Sequence, residues 1–256
     1  MRRARFYLRL MRLAAVLGFG LLLATGLRLQ ALLGFNPPQR TRQRACHWFM
    51  RSLAAVLPFD IHVSGALPDQ PMLWVANHQS WSDIPLLGML QPMTFLAKAD
   101  IRQWPVVGWL TAEAGTAFIQ RGSGEHSAVS QRLAANLSQG RSQLIFPEGT
   151  TTDGTSLRMF HSRLLAAAIS AGVPIQPVAL RYLRNGVIDP VAPFIGDDDL
   201  LAHPFRLMAE DTAVVEITLL PPIKSEGMQR NQLARQCHGA IAQALYGDIQ
   251  PLPLAA

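Results

Sequence analysis

Along this chain an arginine-studded apolar stretch gives way, from about Ile61, to short apolar runs that alternate with helical periods. Apolar runs bounded by Gly, Pro or polar clusters read as buried strands, and apolar residues recurring three and four apart read as amphipathic helices. The pattern predicts strands over Ile61–Val63, Met72–Ala76, Met93–Ala97, Thr116–Ile119, Gln143–Phe146, Ile175–Leu180 and Ala213–Leu219. It predicts helices over Ile84–Leu90, Val106–Ala114, Glu125–Gln139, Ser162–Ala171 and Gln229–Tyr246, with Asn185–Asp211 as a long connection rich in Pro, Gly and Asp. Such alternation specifies an α/β fold, a mixed and largely parallel sheet covered by helices, over residues 61–256.

Residues 1–60 follow another rule. Arg2, Arg3, Arg5, Arg9 and Arg12 precede an uncharged run from Leu13 to Leu27, which is short for a span of about 20 apolar residues and lacks a clear A-x-A cleavage site. Arg28, a second apolar piece to Phe35, Pro37 and Pro38, the cluster Arg40, Arg42 and Arg44, and an amphipathic piece from Cys46 to Phe59 come next. Arginines flank the first run on both sides, so the positive-inside rule sets no crossing direction. That balance favours a helical anchor lying in or dipping into one leaflet, over a single span or a cleaved signal.

Charge and cysteine content narrow the partners. The net charge is +6 and only Lys98 and Lys224 are lysines, which suits an anionic membrane surface or an anionic substrate. Nucleic acid is not expected, because the arginines gather at the N-terminus without interleaved aromatics. Cys46 and Cys237 form neither a C-x-x-C pair nor a disulfide framework, and read as small apolar residues of a reducing compartment.

The strongest chemistry sits in Asn77-His78-Gln79-Ser80-Trp81-Ser82-Asp83, between an apolar run and a helix start. Open α/β sheets put their sites at such strand ends. His78 can accept and return a proton near neutrality, and Asp83 can hold its second ring nitrogen; a structural histidine beside helix-capping residues is the alternative. The chain has no G-x-S-x-G elbow, which disfavours a covalent acyl-enzyme. A second block, Phe118 to Gly122, ends a strand at Arg121, either an anion clamp or a solvated loop arginine. A third, Phe146-Pro147-Glu148-Gly149-Thr150-Thr151, places a glutamate and hydroxyls after an apolar run, to bind substrate hydroxyls or simply to turn the chain. A fourth, Val173 to Val178, suits the start of a strand or an acyl-chain wall. His47, His62, His126, His161, His203 and His238 lack metal-ligand spacing and read as structural or exposed, and Asp197, Asp198 and Asp199 read as a solvated turn rather than a cation site.

In this order the four blocks resemble the glycerolipid (lysophospholipid) acyltransferase family, typified by 1-acyl-sn-glycerol-3-phosphate acyltransferase, over about Leu73–Val178. The resemblance implies that His78 takes the proton of a lysolipid hydroxyl attacking the thioester of acyl-CoA or acyl-carrier protein, with Asp83 orienting the imidazole. It implies substrate-binding roles for Asn77, Lys98, Arg121, Glu148, Gly149 and Thr150, no metal or prosthetic group, and a membrane location on the cytoplasmic face of a bacterial inner membrane. The acceptor it puts first is 1-acyl-sn-glycerol-3-phosphate, giving phosphatidate.

Two departures bear on that acceptor. The family commonly has arginine where Thr151 stands, and Phe-Lys-x-Gly where this chain reads Phe160-His161-Ser162-Arg163, leaving Arg158 and Arg163 to compensate. The run Glu148–Gly154, with Phe194 to Asp197, is more similar to the branch that acylates lyso-ornithine lipid, which stands as the alternative. A hydrolase passing the acyl group to water and a non-catalytic membrane-binding protein are the competing classes.

Overall fold

A computed structural model describes residues 2–99, 108–109, 116–119 and 126–247. Two helices come first: α1 (Arg2–Leu32) and α2 (Gln39–Val56). They lead into strands β1 (Phe59–Ser64) and β2 (Leu73–Ala76), helix α3 (Asp83–Gly88) and strands β3 (Thr94–Lys98) and β4 (Ala117–Ile119). Next come α4 (His126–Ser138), β5 (Gln143–Ile145), a 3-10 turn at Ser162–Leu165, α5 (Ala166–Ala171) and β6 (Ile175–Arg184). Strand β7 (Val187–Ile188), α6 (Ala202–Ala209), β8 (Ala213–Leu219) and α7 (Arg230–Tyr246) close the described chain.

The strands form one sheet in the order β1-β8-β6-β2-β5-β3-β4, with β7 paired to β6. Pairings are parallel except β6–β8 and β6–β7, so the expected mixed, largely parallel sheet is observed. Strand β2 lies between β5 and β6 and is buried throughout, as expected for a strand covered on both faces. Alternation divides it: Trp74 and Ala76 face a core shared with α2, α3 and α6, while Leu73 and Val75 face one shared with α4, α5 and α7. The same alternation in β6 puts Val178, Leu180 and Tyr182 on the α3 side.

Three sequence expectations need correction. The apolar stretch does not break at Arg28: α1 is one continuous helix, roughly 46 Å long at 1.5 Å per residue, and Arg3–Leu32 is long and apolar enough to cross a membrane by length and composition. Backbone hydrogen bonds extend through Arg28 because straight-chain arginine is itself a good helix former. The connection Asn185–Asp211 contains β7 and α6, whose eight residues were too short to stand out from the surrounding Pro and Gly. The segment Ser162–Ala171 starts as a 3-10 turn before it becomes α-helical. The helix expected over 106–114 lies largely outside the described residues.

The first two helices form a hairpin whose two ends both meet the sheet domain. Arg9 donates to the carbonyls of Met208 (3.0 Å) and Glu210 (2.6 Å), at the C-terminal end of α6 where a cation is favoured, and Arg5 pairs with Asp211. The far end of α2 runs directly into β1. Between them, Gly20 lies under the Phe49 ring, where a Cβ would come 2.5 Å from it, so any larger residue here would force that ring to shift.

Candidate active site

Strand β2 ends at Ala76, and the next two residues turn away from the sheet under tight control. Asn77 is clamped to β6, its amide donating to the Leu180 carbonyl (2.8 Å) while its oxygen accepts the Leu180 N–H (2.8 Å). Gln79 adds a bond from its own amide to the same carbonyl (2.7 Å). These side-chain bonds continue the β2–β6 ladder past the strand end and fix where His78 emerges.

His78 Nδ1 lies 2.7 Å from Asp83 Oδ2. Asp83 opens α3 and its side chain is fully buried, yet every oxygen is used. Oδ2 also accepts the N–H groups of Gln79 (2.7 Å) and Ser80 (3.0 Å), and Oδ1 accepts the Tyr182 hydroxyl (2.5 Å). Tyr182 in turn accepts from Ser82 Oγ (2.8 Å), and burial beside Asp83 pushes its phenol pKa well above the ordinary value. A carboxylate holding three donors already can only accept from the imidazole, so Nδ1 carries the hydrogen, and in the neutral ring the lone pair is on Nε2. Nε2 has no hydrogen-bond partner among the described residues. Phe146 stacks on the ring, centroids 3.9 Å apart and planes 12° off parallel, which removes the remaining freedom to rotate.

Glu148 supports the same peptide from the other side. Its Oε1 accepts the His78 N–H (2.8 Å) and its Oε2 accepts the Arg158 N–H (2.9 Å), while burial raises its pKa despite these bonds. Gly149 closes the turn with its N–H on the Phe146 carbonyl (3.1 Å). The chain then returns to His78, where Thr152 donates its N–H to the His78 carbonyl (2.9 Å), and Phe194 N–H reaches the Gln79 carbonyl (2.7 Å) while Thr151 Oγ1 donates to the Phe194 carbonyl.

The structure therefore brings Asn77, His78, Asp83 and Glu148 into one hydrogen-bonded unit, with Gly149 and Thr150 in the adjoining turn. Lys98 ends β3. Arg121, Gly122 and Gly124 lie outside the described residues. The Val173–Val178 block leads into and begins β6, with Ile175 and Val178 fully buried inside the sheet. Tyr182, Ser82 and Phe146 were not singled out as site residues by sequence reasoning. Tyr182 stands two residues after Leu180 on the same face of β6, a signal readable only once β6 was known to neighbour β2.

An apolar cavity of about 400 Å³ opens beside the site. The hairpin lines it through Leu13, Leu23, Ala24, Phe49 and Met50, and the turn around the dyad contributes Trp81, Ile84 and Pro85. Trp81 is held by donating its indole N–H to His203 Nδ1 (3.0 Å), and His203 Nε2 faces the Val191 and Pro193 carbonyls (3.1 Å each). That set fixes His203 as the neutral Nε2–H tautomer, and burial lowers its pKa. Asp198 pairs with Arg206, and Asp199 accepts the N–H groups of Leu201 and Ala202 at the start of α6, so both have structural partners. Cys46 and Cys237 are buried free thiols, and burial pushes Cys237 up to about 12.

A family model described as Acyltransferase matches residues 59–181. The chain is 53% identical over 251 residues to the lyso-ornithine lipid O-acyltransferase of Pseudomonas aeruginosa, covering 98% of this chain and 97% of that one. It is 35% identical over 183 residues to the 1-acyl-sn-glycerol-3-phosphate acyltransferase of Neisseria meningitidis serogroup B, covering 70% of each. The crystal structure of the 1-acyl-sn-glycerophosphate (LPA) acyltransferase PlsC from Thermotoga maritima has the same fold, with a TM-score of 0.65 at 20% identity over 96% of each chain.

Proposed function

The chain belongs to the acyltransferase family, and on that premise we propose that it is a lysolipid O-acyltransferase whose acceptor is lyso-ornithine lipid. The motifs placed 1-acyl-sn-glycerol-3-phosphate first; the longer and closer of the two relationships above, with Thr151 in place of an arginine, favours the ornithine acceptor instead. The observation that carries the chemistry is the His78 imidazole, its Nδ1 held on Asp83 and its Nε2 without a hydrogen-bond partner among the described residues, in a turn whose Trp81 lines an apolar cavity.

His78 Nε2 takes the proton of the acceptor hydroxyl as that oxygen attacks the donor thioester carbonyl. The resulting imidazolium is stabilised by Asp83 and returns the proton to the sulfur as the C–S bond breaks, releasing the thiol of CoA or of acyl-carrier protein. With both substrates held at once, proximity supplies about 7–11 kcal/mol and a positioned base about 10²- to 10⁴-fold. The cavity takes the acyl chain, Glu148 and Gly149 shape the acceptor turn, and Arg121 binds the acceptor's anionic group.

The hairpin places this chemistry at a membrane. Leu22, Leu29, Leu32, Leu33 and Phe35 are exposed on its outer face and tip, while both of its ends are held at the sheet domain. It dips into one leaflet on the cytoplasmic side and returns, so the cavity between hairpin and sheet opens toward lipid.

Acyl transfer from labelled acyl-CoA to lyso-ornithine lipid and to lysophosphatidate, side by side with His78→Ala, tests the assignment. The expected result is faster turnover of lyso-ornithine lipid, with a loss of about 10²- to 10⁴-fold in the variant. Preference for lysophosphatidate would reinstate the first acceptor, and free fatty acid released at the transfer rate without any acceptor would make the protein a hydrolase.

A further inference from the structure

The turn from Glu148 to Gly154 reads Glu-Gly-Thr-Thr-Thr-Asp-Gly, two carboxylates and no cation, and it is fastened to the catalytic turn at every step. Thr152 donates both its N–H (2.9 Å) and its hydroxyl (3.4 Å) to the carbonyl of His78 itself. Gly154, at φ +83°, lies so close to Gln79 that a Cβ would come 2.5 Å from its Oε1, and the Gly154 carbonyl accepts the Tyr246 hydroxyl (3.2 Å). Asp153 is held between these two fixed neighbours, and its side chain is exposed.

Its carboxylate is aimed rather than loose. Oδ1 accepts the N–H (2.9 Å) and the hydroxyl (2.7 Å) of Thr155, while Oδ2 has no hydrogen-bond partner among the described residues. The Thr155 bonds hold the Asp153 pKa below the ordinary value, so the group is an anion at any physiological pH. Burial pushes the Tyr246 phenol up to about 12, with the charges of Glu148 and then Asp153 adding to it. A phosphate monoester approaching His78 along this turn meets negative charge.

An ornithine head keeps one ammonium and one carboxylate whichever of its two amines carries the fatty acid amide. Resting on the lyso-ornithine reading above, we propose that Asp153 is the specificity-determining residue for the acceptor, its free carboxylate oxygen receiving the head-group ammonium while the hydroxyl of the acyl chain reaches His78. The cation that a phosphate-binding turn would need is absent from residues 148–154; an anion of fixed direction stands there instead.

The test compares three acceptors on the full-length protein in mixed micelles: lyso-ornithine lipid, the same lipid with its remaining amine acetylated, and lysophosphatidate. Wild type should favour the amine over its acetylated form by about tenfold in kcat/KM, expressed in acceptor KM, as for a hydrogen bond between charged groups. Asp153→Asn, which still offers an oxygen to Thr155, should act on the two within about twofold of each other, and Asp153→Glu should keep a preference for the amine. Undiminished discrimination in Asp153→Asn overturns the proposal, as does a wild type indifferent to acetylation, which needs no variant to fold. A wild type that acylates lysophosphatidate but not lyso-ornithine lipid defeats the underlying acceptor reading instead.

Discussion

Replacing Asp83 by asparagine separates two things a carboxylate can do for a histidine. Asp83 accepts from His78 Nδ1, from the Gln79 and Ser80 N–H groups and from the Tyr182 hydroxyl. An asparagine oxygen at the Oδ2 position keeps the first three, and its amide then points at Tyr182. Tyr182 can accept one N–H and turn its own hydroxyl to Ser82 Oγ, 2.8 Å away, which leaves the Ser82 hydroxyl hydrogen and the second amide hydrogen without an acceptor among the described residues. The tautomer is therefore retained, at a stability cost of about 1–3 kcal/mol for each unpaired hydrogen, and what the imidazole loses is the charge that stabilises the imidazolium. A hydrogen bond to a charged group contributes about 1.5–3 kcal/mol against about 0.5–1.5 for a neutral one, so the barrier rises by roughly 1–2 kcal/mol and the rate falls about 5- to 30-fold. His78→Ala should cost about 10²- to 10⁴-fold. Single-turnover acyl transfer by both variants, with thermal unfolding as a fold control, checks this. A loss in Asp83→Asn as large as in His78→Ala would refute the retained tautomer, because in serine-protease triads an inverted amide costs about 10⁴-fold. A rate within twofold of wild type would refute the imidazolium altogether.

Other residues of the site make separate predictions. Glu148→Gln offers one acceptor to two N–H groups, those of His78 and Arg158, so one is left unpaired at about 1–3 kcal/mol; activity and melting temperature should both fall, and an unchanged pair of values would show that the glutamate does not brace the turn. Gly154→Ala adds left-handed strain of roughly 1–2 kcal/mol and drives a methyl into Gln79, whereas Gly140→Ala, with its nearest contact at 3.9 Å, carries the strain alone; calorimetry should find Gly154→Ala the more damaging by several degrees. His203 is buried neutral with a lowered pKa, so its stabilising contribution is complete above the ordinary histidine value of about 6.5 and is lost as pH falls through the lower folded value. Protonation would set Nδ1–H against the Trp81 indole N–H, so melting temperature should drop on that acid limb, and His203→Gln should flatten it; an equal slope in the variant would place the titrating group elsewhere.

How much of this was legible in the chain depends on whether a signal was local. The strand-to-turn step at Ala76–Asn77 was readable because an apolar run stops at polar residues, and the His78–Asp83 pairing because five residues is the span of one turn into α3. The sheet class followed from alternation. Tyr182 was not readable: its bond to Asp83 spans 99 residues and exists only because β6 lies beside β2 with the α3-facing register. The continuity of α1 was missed because a single arginine in an apolar run looks like a boundary, although its backbone has every reason to stay helical. Helix α6 was hidden by composition, since His203 and Pro204 sit inside it.

The same long-range contacts join the His78 turn to both the helical hairpin and the turn from Glu148 to Gly154. The hairpin is fixed at its start by Arg5 and Arg9 to the segment 208–212, and α6, which that segment ends, carries His203, the partner of Trp81. Trp81 follows His78 by three residues and lines the apolar cavity, so the cavity wall and the orientation of the His78 turn depend on one connected set of contacts. Glu148 and Thr152 hold the opposite side of the His78 peptide and carry the acceptor turn with Asp153. Under the proposed function, the donor chain and the acceptor head lie on opposite flanks of one imidazole. Direct transfer requires that arrangement, since without an acyl-enzyme both substrates must be present when the proton moves.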